Sequence, residues 1–468
     1  MKDQTSQEST NPVEGERPDQ AGRLGHASSR HGGKHGRIQN DPWIEQVLDR
    51  ENLTTAWKRV KTNGGAPGID AMSVDDFPAF FRGHWERICS ELRSGTYRPA
   101  PVRRVFIPKP DGSQRPLGVP TVLDRVIQQA IAQVLTPLYD SGFSKDSYGF
   151  RAGRNAHQAV RRMEAAWGEG RRHAVDCDLK AFFDTVNHDR LLARLREKIG
   201  GGWLLRLIGR YLRSGVVLPN GQREETPMGV PQGGPLSPLL ANIVLDPLDK
   251  ELERRGHRFA RYADDFLVFV KSAKAAQRVM ESLKRYIEGT LKLVVNQIKS
   301  QAAPLKQCAF LGFQIGSRGK VVWTVKSLQR FKERVREITR RNRGQSVNVV
   351  IDELMKYARG WMSYFGISHT YNEVMLLDAW LRRRVRLYYW KQWKQPRTRR
   401  RRLIALGIPP EEVKLASRSR KGYWRMSGNS IVQRALNNRW LNEQGVPELR
   451  SFWIATHYGP NGNAKSKV

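Results

Sequence analysis

Residues 258–270 read RFARYADDFLVFV. Two β-rich runs flank Ala263-Asp264-Asp265, which predicts a hairpin with acidic residues at its tip. Consecutive Asp residues among apolar neighbours are costly to bury without a cation. An isolated Asp-Asp pair is most often an acidic β-turn. The longer string Tyr-x-Asp-Asp is rarer, arising by chance in roughly a few per cent of chains of this length.

A second acidic stretch, residues 174–186, reads AVDCDLKAFFDTV. It predicts a strand ending near Asp178, followed by a helix start. Asp176 and Asp178 are two apart and share a face if both lie on the strand; a solvated strand face would look the same. Brought together, the two stretches would offer carboxylates from separate strands at one point. Two Mg²⁺ ions held there would activate an attacking hydroxyl and stabilise a leaving pyrophosphate. Mg²⁺ takes carboxylate and phosphate oxygens, so neither Cys nor His is required, and Mn²⁺ is an alternative ion.

The whole chain agrees with an anionic partner. Its 468 residues correspond to about three domains at roughly 150 residues each. Hydrophobic residues make up 39% and aromatics 9%, enough for a sizeable core. Lys and Arg outnumber Asp and Glu by 81 to 45, a net charge of +36. Such a charge repels itself unless an anion offsets it, and nucleic acid is the leading partner. No apolar stretch approaches the roughly 18 residues of a membrane span, so no membrane partner is expected. Cys89, Cys177 and Cys308 form no Cys-x-x-Cys pair, which argues against a disulfide scaffold, a structural zinc site and a Cys-ligated nuclease module. The start, MKDQTSQEST, has no apolar h-region, so a reducing, cytoplasmic setting is expected.

Residues 1–40 are polar and nearly free of large apolar side chains, which predicts a disordered tail. From Asp41, WIEQVLDRENLTTAWKRV places apolar residues near helical spacing, and GGAPGID, residues 64–70, is a turn-rich loop. Residues 100–320 alternate β-rich and helical runs, a mixed α/β or α+β pattern. From about 326 the chain turns helical and basic, with 26 Lys/Arg against 8 Asp/Glu over residues 326–425. Residues 382–402 hold 11 basic residues and no acidic one, interleaved with Tyr388, Tyr389, Trp390 and Trp393. One charge run is ordinarily a solvated helix face. A net +18 over 100 residues instead suits phosphate contacts, with bases stacking on Trp and Tyr.

Several blocks occur in a fixed order: GGAPGID, IPKPDGSQRPLGVPTVLDRVIQQAI, SYGFRAGRNAHQAV, VDCDLKAFFDTVNHDRLL, GVPQGGPLSPLLANIVL, YADD, LVVNQIKS and FLGF. From about Asn52 to about Arg425 the chain resembles the group II intron-encoded reverse transcriptases, or maturases. The short C-terminal end and the missing cysteine pairs resemble members without an endonuclease domain, such as the bacterial class C lineage. The resemblance implies an α+β right-hand polymerase, with fingers and palm over 41–320 and an all-helical thumb or maturase domain over 321–410. A basic DNA-binding extension would follow over 411–468. It implies that Asp178, Asp264 and Asp265 are the catalytic metal carboxylates, with Asp176 the weaker candidate.

On the same resemblance, Lys109 and Arg115 lie on a hairpin, FIPKPDGSQRPLG, turning at Asp111-Gly112, where their charges suit an incoming triphosphate. Gln232 lies against the nucleotide, and Lys299 approaches the same phosphates. Ser237 and Pro238 also suit an N-cap and first turn. Phe183 lies beneath the incoming sugar and selects deoxynucleotides, unless it joins Phe182 in the core. The helical region, including KYARGWMSYFGISHTY, would grip nucleic acid, with Arg382, Arg383, Arg384, Arg386, Lys391, Lys394 and Arg397 as its contacts. The implied partners are dNTPs, an RNA template with a DNA or RNA primer, the group II intron RNA and target DNA; dimerisation is left open. The expected activity is RNA-directed DNA synthesis with assistance to splicing and mobility. A splicing cofactor that no longer polymerises, and a reverse transcriptase adapted to immunity or repair, are the rival readings.

Overall fold

The computed structural model describes residues 41–108, 112 and 114–459, so the tail expected over 1–40 and Lys109 lie outside the described residues. The first helical run divides into α1 (Pro42–Leu48) and α2 (Arg50–Asn63). Asp49 separates them because its carboxylate accepts from the amides of Glu51 and Asn52, capping the second helix instead of continuing the first. These helices, α3 (Phe77–Ser94) and α4 (Val122–Asp140) share a core that includes Ile44, Leu53, Ile88 and Ile127. Between α3 and α4, β1 (Val102–Pro108) and β2 (Gln114–Val119) pair antiparallel from Arg103↔Val119 to Pro108↔Gln114, which is the hairpin expected there.

Next come α5 (Ala156–Gly168), β3 (His173–Cys177), the single turn α6 (Phe182–Thr185), α7 (His188–Ile199) and α8 (Trp203–Leu212). The two-residue strands β4 (Val216–Val217) and β5 (Arg223–Glu224) extend the first sheet, β4 lying parallel to β1. Then follow α9 (Ser237–Arg254), the hairpin β6 (Arg258–Tyr262) and β7 (Asp265–Val270), α10 (Ala273–Tyr286) and β8 (Gln301–Pro304). The palm sheet has the order β6-β7-β3-β8 and every pairing in it is antiparallel. Strand alternation divides two cores across β7: Phe266, Val268 and Val270 join the core of α1–α4, while Leu267 and Phe269 pack with Met163, Phe310 and Phe313.

After the hairpin β9 (Phe313–Ile315) and β10 (Val321–Trp323), the described chain is helical: α11 (Val325–Ile338), α12 (Val347–Phe365), α13 (Tyr371–Gln392), α14 (Pro396–Ala405) and shorter helices ending in Leu449–Tyr458. Their core runs from Trp323 and Phe331 through Leu354 and Leu381 to Val413, Leu436 and Trp453. The segment after residue 410 therefore packs into the same core as the helices before it. The α+β half followed by a helical half is the expected fold class. No helix among the described residues is long and apolar enough to cross a membrane.

One buried side chain ties the palm together. Arg261, on β6, has no solvent exposure. Its Nε donates to Asp249 Oδ1 at 2.8 Å and its Nη2 to Asp249 Oδ2 at 2.6 Å, joining β6 to α9. Nη1 donates to Asn242 Oδ1 and to the Ala263 carbonyl, both at 2.9 Å, and Nη2 to Ser147 Oγ at 2.8 Å. Removing one partner of a buried ion pair strands the other charge. Arg261→Met is therefore expected to lower stability by about 3–5 kcal/mol, read as an earlier urea unfolding midpoint. Arg261→Lys keeps the charge without the fork and should recover part of the loss. A midpoint unchanged in Arg261→Met would show that this pair does not carry the hairpin.

Candidate active site

The expected hairpin at Tyr262-Ala263-Asp264-Asp265 forms with a two-residue loop. Tyr262 pairs with Asp265, so Asp264 stands at the tip and Asp265 opens β7. Cys177 pairs with Phe266. Asp178, the next residue after β3, therefore lies level with Asp265 at the same end of the sheet. Both acidic stretches reach a left-handed residue that is not glycine: Ala263 with φ 58° and Ala181 with φ 47°. Such conformations cost about 1–3 kcal/mol each and persist where surrounding structure enforces them. At Ala263 the enforcement is visible. Its carbonyl is held by Arg261, and Gly149 approaches so closely that a Cβ there would lie 2.4 Å from the Ala263 nitrogen. The glycine of SYGF is thus required by close packing against the acidic tip.

Asp178 is braced from the LVVNQIKS segment. Asn296 Nδ2 donates to Asp178 Oδ2 at 2.8 Å, the Asn296 amide donates to the Asp178 carbonyl at 2.8 Å, and the Asp178 amide donates to Ser300 Oγ at 3.0 Å. Asn296, Ser300, Arg261 and Gly149 were not among the expected site residues. The sequence signal for Asn296, Ser300 and Gly149 is membership in the ordered blocks, and Arg261 lies just before YADD in the run 258–270. Lys299 is exposed on this segment beside Asp178, and its amide donates to the Asn296 carbonyl at 3.3 Å.

The electrostatics are those of crowded anions. Burial, followed by the charges of Asp176, Asp264 and Asp178, pushes the Asp265 carboxyl up to about 7. Burial also raises Asp264, with Asp178 adding to the effect and Arg115 and Arg261 opposing it. Asp176 is raised mainly by burial and is contacted by Gln301 Nε2 at 3.4 Å. Burial pushes the Cys177 thiol up to about 12, so it stays protonated and is no anionic ligand. Among the described residues, no three acidic, His or Cys side chains converge tightly enough to hold an ion as they stand. The donor set itself fits Mg²⁺, because it consists of carboxylate oxygens whose mutual repulsion a dication would relieve.

A cavity of about 570 Å³ is lined by Arg115, Phe183 and Gln232, three of the residues expected to meet a nucleotide, and by Phe150, whose ring centroid lies 6.4 Å from that of Tyr262 on the acidic hairpin. A second one, about 380 Å³, shares Gly118, Phe183 and Gln232. Phe182 is buried in the core, whereas Phe183 is half-buried and lines both cavities. Gln232 is fixed through its backbone: the Gly118 amide donates to its carbonyl at 2.7 Å. Ser237 is the first residue of α9 and does not cap it. Its hydroxyl donates to the Pro231 carbonyl at 2.6 Å, bracing the PQGG turn.

The basic helical run divides. Lys394 and Arg397 are exposed, as are Arg400, Arg401 and Arg402. Arg382 and Arg386 are 1% and 7% exposed, which corrects the expectation that they meet nucleic acid. Arg382 Nε bonds Asp378 at 2.7 Å within α13, while its Nη1 donates to the Asn438 carbonyl at 3.3 Å and Arg386 Nε donates to the Leu436 carbonyl at 2.8 Å, so both arginines tie α13 to the helices beyond it. Arg384 Nε bonds Thr339 Oγ1 at 3.0 Å at the end of α11. Arg383 stacks 4.0 Å over Trp424, and Lys391 lies 5.3 Å over Tyr423. Tyr388, Tyr389, Trp390 and Trp393 are all buried core residues, so base stacking on them is also corrected.

A family model described as reverse transcriptase (RNA-dependent DNA polymerase) matches residues 107–315. Another, described as group II intron, maturase-specific domain, matches residues 328–405. Protein YkfC of Escherichia coli (strain K12) is 33% identical over 298 residues, which are 55% of this chain and 78% of that protein. The chain belongs to the group II intron-type reverse transcriptase and maturase family. The group II intron-encoded protein LtrA of Lactococcus lactis subsp. cremoris is 31% identical over 329 residues, 56% of this chain. The match spans 54% of LtrA's own length. A chain of the solved structure titled partial Cas6-RT-Cas1–Cas2 complex is similar at 27% identity, with 52% of this chain and 42% of that one covered and a TM-score of 0.35. The carboxylates Asp178, Asp264 and Asp265 and the cavity residues Arg115, Phe183 and Gln232 all fall within the reverse transcriptase match.

The raised Asp265 carboxyl gives this reverse transcriptase a testable pH response. A carboxyl at about 7 when folded, against an ordinary value near 4, leaves folding unpenalised below pH 4 and disfavours it increasingly as pH rises from 4 to 7. In EDTA, Asp265→Asn should nearly match the wild-type melting temperature at pH 4. At pH 8 its melting temperature should be the higher, reflecting a stability gain on the order of 4 kcal/mol at most. Equal melting temperatures at both pH values would show that Asp265 is not held among uncompensated charges.

Proposed function

We propose that this chain is an RNA-directed DNA polymerase of a group II intron, adding dNTPs to a primer 3′-hydroxyl and binding its intron RNA to assist splicing and mobility. The observation that carries the reading is the meeting of Asp178, Asp264 and Asp265 at one end of the palm sheet, next to the cavity lined by Arg115, Phe183 and Gln232. Asp178 and Asp264 would hold two Mg²⁺ ions, with Asp265 as the third carboxylate. When bound, the ions acidify the primer hydroxyl and offset charge on the leaving pyrophosphate.

The chain's own groups do the rest. Arg115, aided by Lys109, offers positive charge to the triphosphate. Gln232 holds the nucleotide's side of the cavity through a backbone fixed to Gly118. The Phe183 ring, which lines the cavity, would clash with a 2′-hydroxyl and so discriminate by exclusion. The exposed cations Lys394, Arg397 and Arg400–Arg402 support RNA binding by the helical half, where the maturase-specific match lies. Intron RNA, target DNA and a primed RNA template are the partners this reading assigns.

Primer extension on an RNA template, with and without Mg²⁺, tests it. Wild type should extend only with the ion, and Asp178→Asn should abolish extension while RNA affinity stays within about twofold, since the substitution removes charge but little volume. Phe183→Ala should remain folded and gain ribonucleotide incorporation. Wild-type extension by Asp178→Asn, or an unchanged dNTP/rNTP ratio in a stable Phe183→Ala, would reject the respective assignments.

A further inference from the structure

The loop after α2, Gly64-Gly65-Ala66-Pro67-Gly68, carries almost no side chain, yet Gly64, Gly65 and Ala66 line the same cavity as Arg115, Phe183 and Gln232. A glycine-rich backbone does not fix its own shape, so its conformation must be imposed from outside. Two arginines impose it. Arg125 Nη1 donates to the Gly64 carbonyl at 3.0 Å and Nη2 to the Ala66 carbonyl at 3.1 Å. Arg103 Nε donates to the Pro67 carbonyl at 3.0 Å.

Arg125 is anchored from behind. It sits in the first turn of α4, which Thr121 caps, and it is 8% exposed. Its neighbour Asp124 is buried and accepts from Tyr97, Thr121, Tyr211 and the Ala100 amide. Among the described residues, Arg125 makes no ion pair, and its Nε has no hydrogen-bond partner. A buried guanidinium is expensive without a carboxylate. Here its bonds go to two carbonyls of one loop, in a fork that Lys cannot copy.

We infer that Arg125 is a positioning residue. It holds the backbone of residues 64–66 as a wall of the nucleotide cavity, with Arg103 securing the next carbonyl. It sets how tightly the nucleotide is held, not the rate of the chemical step. The inference rests on the polymerase reading of the cavity.

The test compares Arg125→Gln, Arg125→Lys and Arg103→Gln with wild type in the full chain. Hydrogen exchange should quicken at the amides of residues 64–66 and 68 in Arg125→Gln, with the palm sheet unaffected. On a saturating primer-template, KM for dNTP should rise about fivefold or more with kcat within about twofold, and Arg125→Lys should fall between. If Arg125→Gln does not fold, Arg103→Gln loosens the loop from outside the core and is held to the same expectations. Unchanged exchange at the loop in a folded variant overturns the inference, as does a fall in kcat with KM unchanged. A wild type that fails to extend primers rejects the polymerase reading instead, and the exchange result still decides whether Arg125 holds the loop.

Discussion

Arg261 is a charge in a place where water cannot reach it, and the palm is built around satisfying it. A buried ion pair repays its desolvation only when geometry is good and remaining donors find partners. The Arg261 fork meets that condition by drawing on three separate elements: Asp249 and Asn242 of α9, Ser147 of the SYGF block, and the Ala263 carbonyl. Those bonds fix where the β6–β7 hairpin ends. They also keep Ala263 in a left-handed conformation that it would otherwise leave, and so they fix the direction in which Asp264 departs from the sheet.

The acidic end is the electrostatic opposite. Arg261 is matched within the fold, whereas Asp265, Asp264 and Asp176 are raised by burial and, in each case, by the charge of Asp178. Strain and uncompensated charge gather at the same few residues, while every guanidinium nitrogen of Arg261 behind them is bonded. This is the pattern of a site arranged for a ligand that supplies positive charge. The cavity beside it follows the same division, since Gln232, Gly64 and Ala66 are all fixed through backbone atoms.

Much of this was legible in the sequence, for physical reasons that differ by element. The hairpins at β1–β2 and β6–β7 show as β-rich runs about turn residues, and the carboxylates show because acids among apolar neighbours need an explanation. Phe183 could be singled out but not separated from Phe182, because only the tertiary core distinguishes the two rings. The basic run at 382–402 was misread in its first half. Local sequence shows that Arg382 and Arg386 are charged; it does not show that the carbonyls of Asn438 and Leu436 will meet them from helices further along the chain. Long-range partners of that kind, like those of Arg261 and Arg125, leave almost no trace near the residue itself. Asp49 was missed for a local reason: it sits in a run that keeps helical spacing, and its capping role breaks the helix without disturbing the pattern.

The central claim is that Asp178 and Asp264 form a divalent-metal site on this scaffold. Counting Mn²⁺ ions bound per chain by electron paramagnetic resonance, with primed RNA template and a non-reactive dNTP analogue present, tests it most directly. The account predicts two tightly held ions in wild type and loss of protein-dependent binding in the Asp178→Asn, Asp264→Asn double variant. The same number of ions held with the same affinity in both proteins would contradict it.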